Sequence, residues 1–319
     1  MKPYPFLPRR KPNKKAIRSS MSRSQSTLQL TTNEVSSLLK LFPKGIVAVD
    51  LETTGLSPLV DKIIEIAAVK IGPTGEISSF HSLINPLIEI PESTIQFHGL
   101  TNDHLKEAPT IKKPLKEFWD FVERHPIIAH NSSFDLGYLI KASHDFQVNF
   151  PPLDVYDSCR WARAIYKNQQ DSPKNFKLST LSEHAHFKLL HHVAIEDTLA
   201  CLKIMAKIGE LPIDQKTAME KSFVFRLSQF DRNDCFNFST RLKGLTQLVQ
   251  DKKLLKLEYK GSSIKESIRP VRPIGLMPLP KGPVLFAECL FSGMNKSFLL
   301  KKIKSYSPLE ASYWRPENL

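Results

Sequence analysis

An apolar run, Ile46-Val47-Ala48-Val49, ends in Asp50-Leu51-Glu52-Thr53-Thr54-Gly55, and the chain later supplies Asp135 and then His192 and Asp197. Four carboxylates and one histidine are the inventory of a two-metal phosphodiesterase. In a strand, residues i and i+2 point to the same side, so Asp50 and Glu52 present both carboxylates to one place. Such a pair suits hard divalent cations, which take oxygen ligands, and Mg²⁺ keeps some of its waters. Two cations about 3.5 to 4 Å apart activate a water and stabilise both oxygens of an in-line displacement at phosphorus. Asp50 is the natural bridging ligand, Glu52 and Asp197 complete the metal on the nucleophile side, and Asp135 serves the other. His192 is the candidate base for the water, because an imidazole titrates near neutrality. Each residue alone has a plainer reading: Asp-x-Glu is common at strand ends, and Asp135 suits the first turn of a helix. Their order along the chain is what joins them, with Ala129-His130-Asn131-x-x-Phe134-Asp135 in between.

The elements that must position these groups follow from periodicity. A strand runs to Val49, a turn covers Gly55 to Pro58, a second strand covers Ile63 to Ile71, a turn covers Gly72 to Gly75, and a third strand covers Ile77 to Ile84. That is a β-meander. Helical spacing follows at Asp103 to Leu105, Leu115 to Glu123, Ser133 to Ala142, Asp157 to Tyr166, Leu178 to His186 and Ala194 to Ile208, with the apolar run Ile127-Ile128-Ala129 among them. The fold class is α/β. Asp135 and Asp197 then lie on helices, and His192 lies on the loop before the second of them.

Residues 1–38 are rich in Lys, Arg, Pro and Ser, with no acidic residue before Glu34, and read as a disordered basic arm. Pro3, Pro5, Pro8 and Pro12 oppose the amphipathic helix of a transit peptide, and Met21 is an alternative start. Residues 39–209 form the α/β domain and 210–238 a linker. Residues 239–316 read as a small β domain, with a helix at Arg241 to Lys252 and strands at Leu254 to Tyr259, Ser267 to Arg269, Val284 to Phe291 and Ser297 to Ile303.

A net charge of +13 and a pI near 9.5 over 319 residues favour polyphosphate partners, nucleic acid first, over a membrane. No apolar run approaches the roughly 18 residues of a membrane span. Cys159, Cys201, Cys235 and Cys289 form no Cys-x-x-Cys, so neither a disulfide framework nor a thiolate zinc site is expected, and the setting is reducing and cytoplasmic. His184, His186, His191 and His192 lack the ligand spacing of structural zinc.

Residues 44 to about 207 resemble the DEDDh branch of the 3′-to-5′ exonucleases, close to the proofreading epsilon subunits of bacterial DNA polymerase III. The resemblance rests on Val49-Asp50-Leu51-Glu52-Thr53-Thr54-Gly55 with Ile64-Glu65-Ile66, on His130-Asn131-x-x-Phe134-Asp135, and on His192-x-Ala194-x-x-Asp197. It implies an RNase H-like fold, a mixed sheet flanked by helices, with two Mg²⁺ or Mn²⁺ and release of nucleoside 5′-monophosphates from DNA 3′ ends. It also implies that Thr53 and Thr54 hold the terminal 3′-hydroxyl and that Leu56 wedges beside the last base. Phe97 and His98 would pack on the terminal nucleotide, with Asn131 and Phe134 beside it. A DNA polymerase or repair partner is implied too. An RNA trimmer resembling ribonuclease T or oligoribonuclease, and a nucleic-acid-binding regulator with little chemistry, are the alternatives.

The C-terminal residues 239–316 resemble a WYL domain, a small SH3-like β-barrel found on bacterial nucleic-acid regulators. The stretches that carry this are Leu255-Lys256-Leu257-Glu258-Tyr259, Ile268-Arg269-Pro270, Leu285-Phe286-Ala287-Glu288-Cys289 and Ser297-Phe298-Leu299-Leu300. The family's signature reads Val284-Leu285-Phe286 here, and Leu299 replaces its usual basic residue. Arg269, Arg272, Lys296, Lys301, Lys302 and Lys304 are the basic groups available to a phosphate backbone.

Overall fold

The computed structural model describes residues 28–166, 169–189, 193–210, 215–230, 242–260 and 268–310. Its first sheet has six strands in the order β3-β2-β1-β4-β5-β6: β1 Ile46–Thr53, β2 Ile63–Ile71, β3 Ile77–Leu83, β4 Ile127–Ala129, β5 Asp154–Asp157 and β6 Phe223–Arg226. The meander β1-β2-β3 is antiparallel as expected, β4 and β5 run parallel to β1, and β6 returns antiparallel on β5. Sheet and helices together are a mixed α/β architecture, as the resemblance implies.

Strand β1 is covered on both faces, which is why its first residues are uniformly apolar. Ile46 and Ala48 join one core with α1 (Thr32–Leu41), α6 (Ser158–Tyr166) and α8 (Ala194–Gly209). Val47, Val49 and Leu51 join the other with α4 (Lys112–Val122) and α5 (Ser133–Phe146). Alternation therefore sends Asp50 and Glu52 to the α8 side. Short helices α2 (Glu92–His98) and α3 (Asn102–Leu105) pack through a satellite cluster of Ile64, Ile90, Leu100 and Leu105. Helix α7 (Leu178–His184) precedes the His192 segment.

Two boundaries differ from the sequence reading. Residues 32–38, placed in the basic arm, belong to the helix Thr32–Leu41, which opens with a capping box: Thr31 Oγ1 accepts the Glu34 N–H and Glu34 Oε2 accepts the Thr31 N–H. Leu38, fully buried, docks it. The stretch placed in the linker holds α9 (Gln215–Ser222) and β6, and Phe225, Leu227 and Phe230 are buried in the nuclease core. Phe223-Val224-Phe225-Arg226 is too short for its alternation to have stood out among polar neighbours.

The C-terminal unit has helix α10 (Lys243–Gln250) and an antiparallel sheet in the order β10-β9-β8-β7-β11: β7 Leu255–Tyr259, β8 Ile268–Met277, β9 Val284–Cys289, β10 Met294–Leu299 and β11 Ile303–Pro308. The expected single strand from Ser297 to Ile303 is two strands separated by a 3₁₀ turn at Leu300–Lys302. Among the described residues β10 and β11 are the two edges, so the sheet is not closed into the expected barrel. No helix among the described residues is long and apolar enough to cross a membrane.

Candidate active site

Asp50 and Glu52 stand at the end of β1, both partly accessible. Across the ladder Glu52 faces Glu65 of β2, which is fully buried and takes a 2.8 Å bond from the His81 ring. Immediately beyond, the register slips between Glu52 and Thr53, leaving Ile64 as an extra residue on β2. Such a bulge bends the strand and re-aims its side chains at a sheet rim.

Asp135 is in the first turn of α5 and buried, and its Oδ1 accepts the Leu51 N–H at 3.2 Å. That bond ties α5 to the tip of β1 between the two strand carboxylates. Asp197 is in the first turn of α8, also buried, its N–H bonded to the Val193 carbonyl. The four carboxylates meet electrostatically at Asp50. Burial raises the Asp50 pKa well above the carboxylate range, and Asp197, Asp135, Glu52 and Glu65 each push it further. Burial likewise raises Asp135, against the N–H bond from Leu51.

Oxygen-only donors with mounting mutual repulsion fit a divalent cation, whose charge opposes each of these influences. Among the described residues no three donors are drawn into a closed coordination sphere.

Residues 47–205 match the family model described as Exonuclease. This segment is an exonuclease domain. The DNA polymerase III PolC-type protein of Caldanaerobacter subterraneus subsp. tengcongensis is 35% identical over 165 residues, covering 51% of this chain and 11% of that protein. The one from Thermotoga petrophila is 32% identical over 221 residues, 67% of this chain and 15% of that protein. The chain thus spans about 11 to 15% of the length of these relatives. The structure is similar to the nuclease domain of 3′hExo, a DEDDh family member, bound to rAMP, at 19% identity and TM-score 0.47, covering 57% of this chain and 97% of that one.

Within the exonuclease domain, His192 and His191 lie outside the described residues. His184 sits 3.6 Å from Asp171 and edge-on to Tyr166. His130, in the motif before Asp135, is engaged on both ring nitrogens, with Ser158 Oγ and the Phe176 carbonyl at 2.9 Å each, and burial lowers its pKa. Asn131 is exposed in a left-handed turn (φ 64°) that starts α5, a conformation asparagine tolerates. Phe134 is half-buried, its ring edge-on to Tyr138 at 5.1 Å. Phe97 is 58% exposed, whereas its neighbour His98 is buried and its Nδ1 accepts the Leu100 N–H. Burial also pushes the Cys159 thiol up to about 11 and the Cys201 thiol higher, so neither is a ready thiolate.

Thr53 and Thr54 are buried where the chain leaves β1, and Leu56 stands out at 53% exposure. Two residues outside the sequence reading hold this loop: the Tyr138 hydroxyl donates to the Gly55 carbonyl at 2.8 Å, and Asp61 Oδ2 accepts the Ser57 N–H at 2.8 Å. Asp157 holds the Ser132 N–H at 3.0 Å while capping α6 through Cys159 and Arg160. Asp157 could be read as an N-cap, but its second bond, to the turn that launches α5, depends on a fold contact between β4 and β5. A separate cleft walled by Leu59, Asp61, Tyr138 and Phe146 contains none of the four carboxylates.

Of the C-terminal basic set, Arg272 pairs with Glu288, Lys304 pairs with Glu258, and Arg269 is buried. Lys301 and Lys302 stay exposed.

Proposed function

We propose that this chain hydrolyses phosphodiester bonds at the 3′ ends of DNA, one nucleotide at a time, in the cytoplasm, with two Mg²⁺ or Mn²⁺ held by Asp50, Glu52, Asp135 and Asp197. The observation that carries this is the placement of Glu52, Asp135 and Asp197 around Asp50 at the tip of β1, each of the three raising the Asp50 pKa on top of its burial. When bound, the cations supply charge for the attacking water and for the leaving oxygen. Asp50 would be shared by both cations, Glu52 and Asp197 would hold the one that activates the water, and Asp135, anchored by the Leu51 N–H, would hold the other. His192 takes the proton from the water, a role worth about 10² to 10⁴ in rate.

The terminal nucleotide lies on the loop after β1, with Thr53 and Thr54 at its 3′-hydroxyl and Leu56 and Phe97 against its base. Exposed leucine and phenylalanine side chains beside an acidic cluster suit stacking on any base. The similarity to proteins named DNA polymerase III PolC-type supports DNA over RNA as the substrate. The C-terminal sheet, WYL-like in sequence, works on nucleic acid alongside the nuclease, and a replication or repair enzyme is the partner class.

Digestion of 5′-labelled and 3′-labelled single-stranded DNA and RNA with Mg²⁺, Mn²⁺ or EDTA tests the reading, with Asp50→Ala as control. Stepwise, metal-dependent shortening of the 5′-labelled DNA is expected, lost in Asp50→Ala. Binding without cleavage by the wild type, or RNA cut in preference, would overturn it.

A further inference from the structure

The loop between β1 and β2 is gripped from a side that the exonuclease domain does not supply. The Ser57 hydroxyl accepts the Leu276 N–H at 3.2 Å in a buried bond, and the Leu276 carbonyl accepts the Leu59 N–H at 3.3 Å. These two bonds tie strand β8 of the C-terminal sheet to the loop backbone. Leu59 completes the attachment: it is buried in the C-terminal core with Leu276, Leu285 and Phe298 rather than in either core of its own domain.

Strand β8 is shaped for this contact. Pro273 faces Ala287 and Gly275 faces Phe286, so Ile274 is an extra residue in β8, and the bulge turns the strand as it reaches the loop. A Cβ at Gly275 would stand 2.1 Å from the Leu56 carbonyl oxygen and 3.0 Å from its carbon. Only glycine lets the two backbones approach so closely. Gly137 of α5 completes the junction, its Cβ direction crowded by Pro58 on one side and Pro278 on the other. The backbone around Leu56 is thus clamped between α5 and β8 while the Leu56 side chain projects outward.

We propose that the C-terminal sheet is a positioning element of the nuclease site. Gly275 and Leu276 set the height of the Leu56 backbone, and so where its side chain meets the terminal base. Gly275 is a positioning residue that touches no substrate. The inference rests on the proposed 3′-exonuclease reading and adds to it a reason for the two units to be one chain. Asp50, Glu52 and Asp197 stand on β1 and α8, outside the clamp, and Asp135 is held at the start of α5 by the Leu51 N–H, so a shifted loop weakens the hold on the terminal nucleotide more than it slows the chemistry.

The test is Gly275→Ala in the full chain, assayed on 5′-labelled single-stranded DNA and on the same strand lacking its 3′-terminal base. The expected result is a KM raised about tenfold on the intact strand with kcat nearly unchanged, and a KM equal to the wild type's on the strand lacking the base. Ser57→Ala removes the acceptor for the Leu276 N–H without adding bulk and should show the same split, which covers a Gly275→Ala chain that does not fold. Unchanged KM in the folded variants, or an equal loss on both strands, overturns the proposal while leaving the nuclease reading intact. A wild type that shortens no strand overturns the nuclease reading and this inference with it.

Discussion

Replacing Lys203 with methionine isolates the contact that holds the first helix to the catalytic one. Lys203 lies on α8, two turns after Asp197, and its Nζ is 2.6 Å from Glu34 Oε2 of α1 and 2.9 Å from the Gln29 carbonyl. Both side chains are almost fully buried, 10% and 6% exposed. Methionine keeps the stem and deletes the charge. Removing one partner of a buried pair costs about 3 to 5 kcal/mol, because the other charge is left in low dielectric. Glu34 keeps the Thr31 N–H, which returns roughly 1 kcal/mol, so the net loss is about 2 to 4 kcal/mol. Urea unfolding of the full chain measures it, and the double variant with Glu34→Met should recover most of the loss. The pH dependence has a definite sign. Burial pushes the Glu34 pKa up, but the Lys203 ammonium and the Thr31 hydrogen bonds outweigh it and leave it below the ordinary value. The unfolded state therefore binds the proton first, so the pair's contribution is complete above the unfolded glutamate value, about 4.3, and disappears as pH falls through the lower folded value. A loss below about 1 kcal/mol at neutral pH, or one that persists in strong acid, would refute the reasoning.

Asp50→Asn should make the metal-free chain more stable at neutral pH, since the folded Asp50 pKa is raised and its stability falls as pH climbs from the unfolded aspartate value; the advantage should vanish in acid. Mg²⁺ at 100 times its Kd should add about 2.7 kcal/mol to the wild type and far less to this variant, read by calorimetry with and without EDTA. Tyr138→Phe removes the hydroxyl bound to Gly55 and should cost about 1 kcal/mol while raising KM a few-fold; equal KM would detach the loop from substrate binding. Phe225→Ala should cost about 3 to 5 kcal/mol if β6 belongs to the nuclease core, and a loss under about 1 kcal/mol in urea would return residues 215–230 to a linker.

The strands that position the chemistry were legible because their patterns are strong. Ile63 to Ile71 emerges with the bounds predicted, and β1 and β3 differ by a few residues at their ends. What escaped was structure whose reason lies elsewhere in the chain. Thr31 and Glu34 have capping-box spacing, but the surrounding basic residues masked it, and Glu34 is stabilised by Lys203, 169 residues away. Strand β6 exists because β5 offers an edge, and the open C-terminal sheet depends on which strands find partners, which alternation alone does not say. In the proposed site, the acidic residues are named from type and spacing alone. Tyr138, Ser57 and Gly275 are not, because each acts on the backbone of a loop that only the fold brings to it.

The conflict left in the ladder is the best physical argument that β1 is shaped for function. Like charges directly opposite one another destabilise a sheet, yet Glu52 faces Glu65 across the two strands. A structure under selection for stability alone would replace one of them with an apolar partner for the cores on either side. Here Glu65 is fully buried and held by His81 from β3, so the fold commits a further strand to holding the carboxyl group. The same strand end carries the bulge at Ile64, the raised Asp50 and the glycine-tight contact with β8. Local rules broken together at one place mark where a chain is built for chemistry rather than for packing. By that criterion Glu65 and His81 are candidate positioning groups beneath Glu52 in the proposed site.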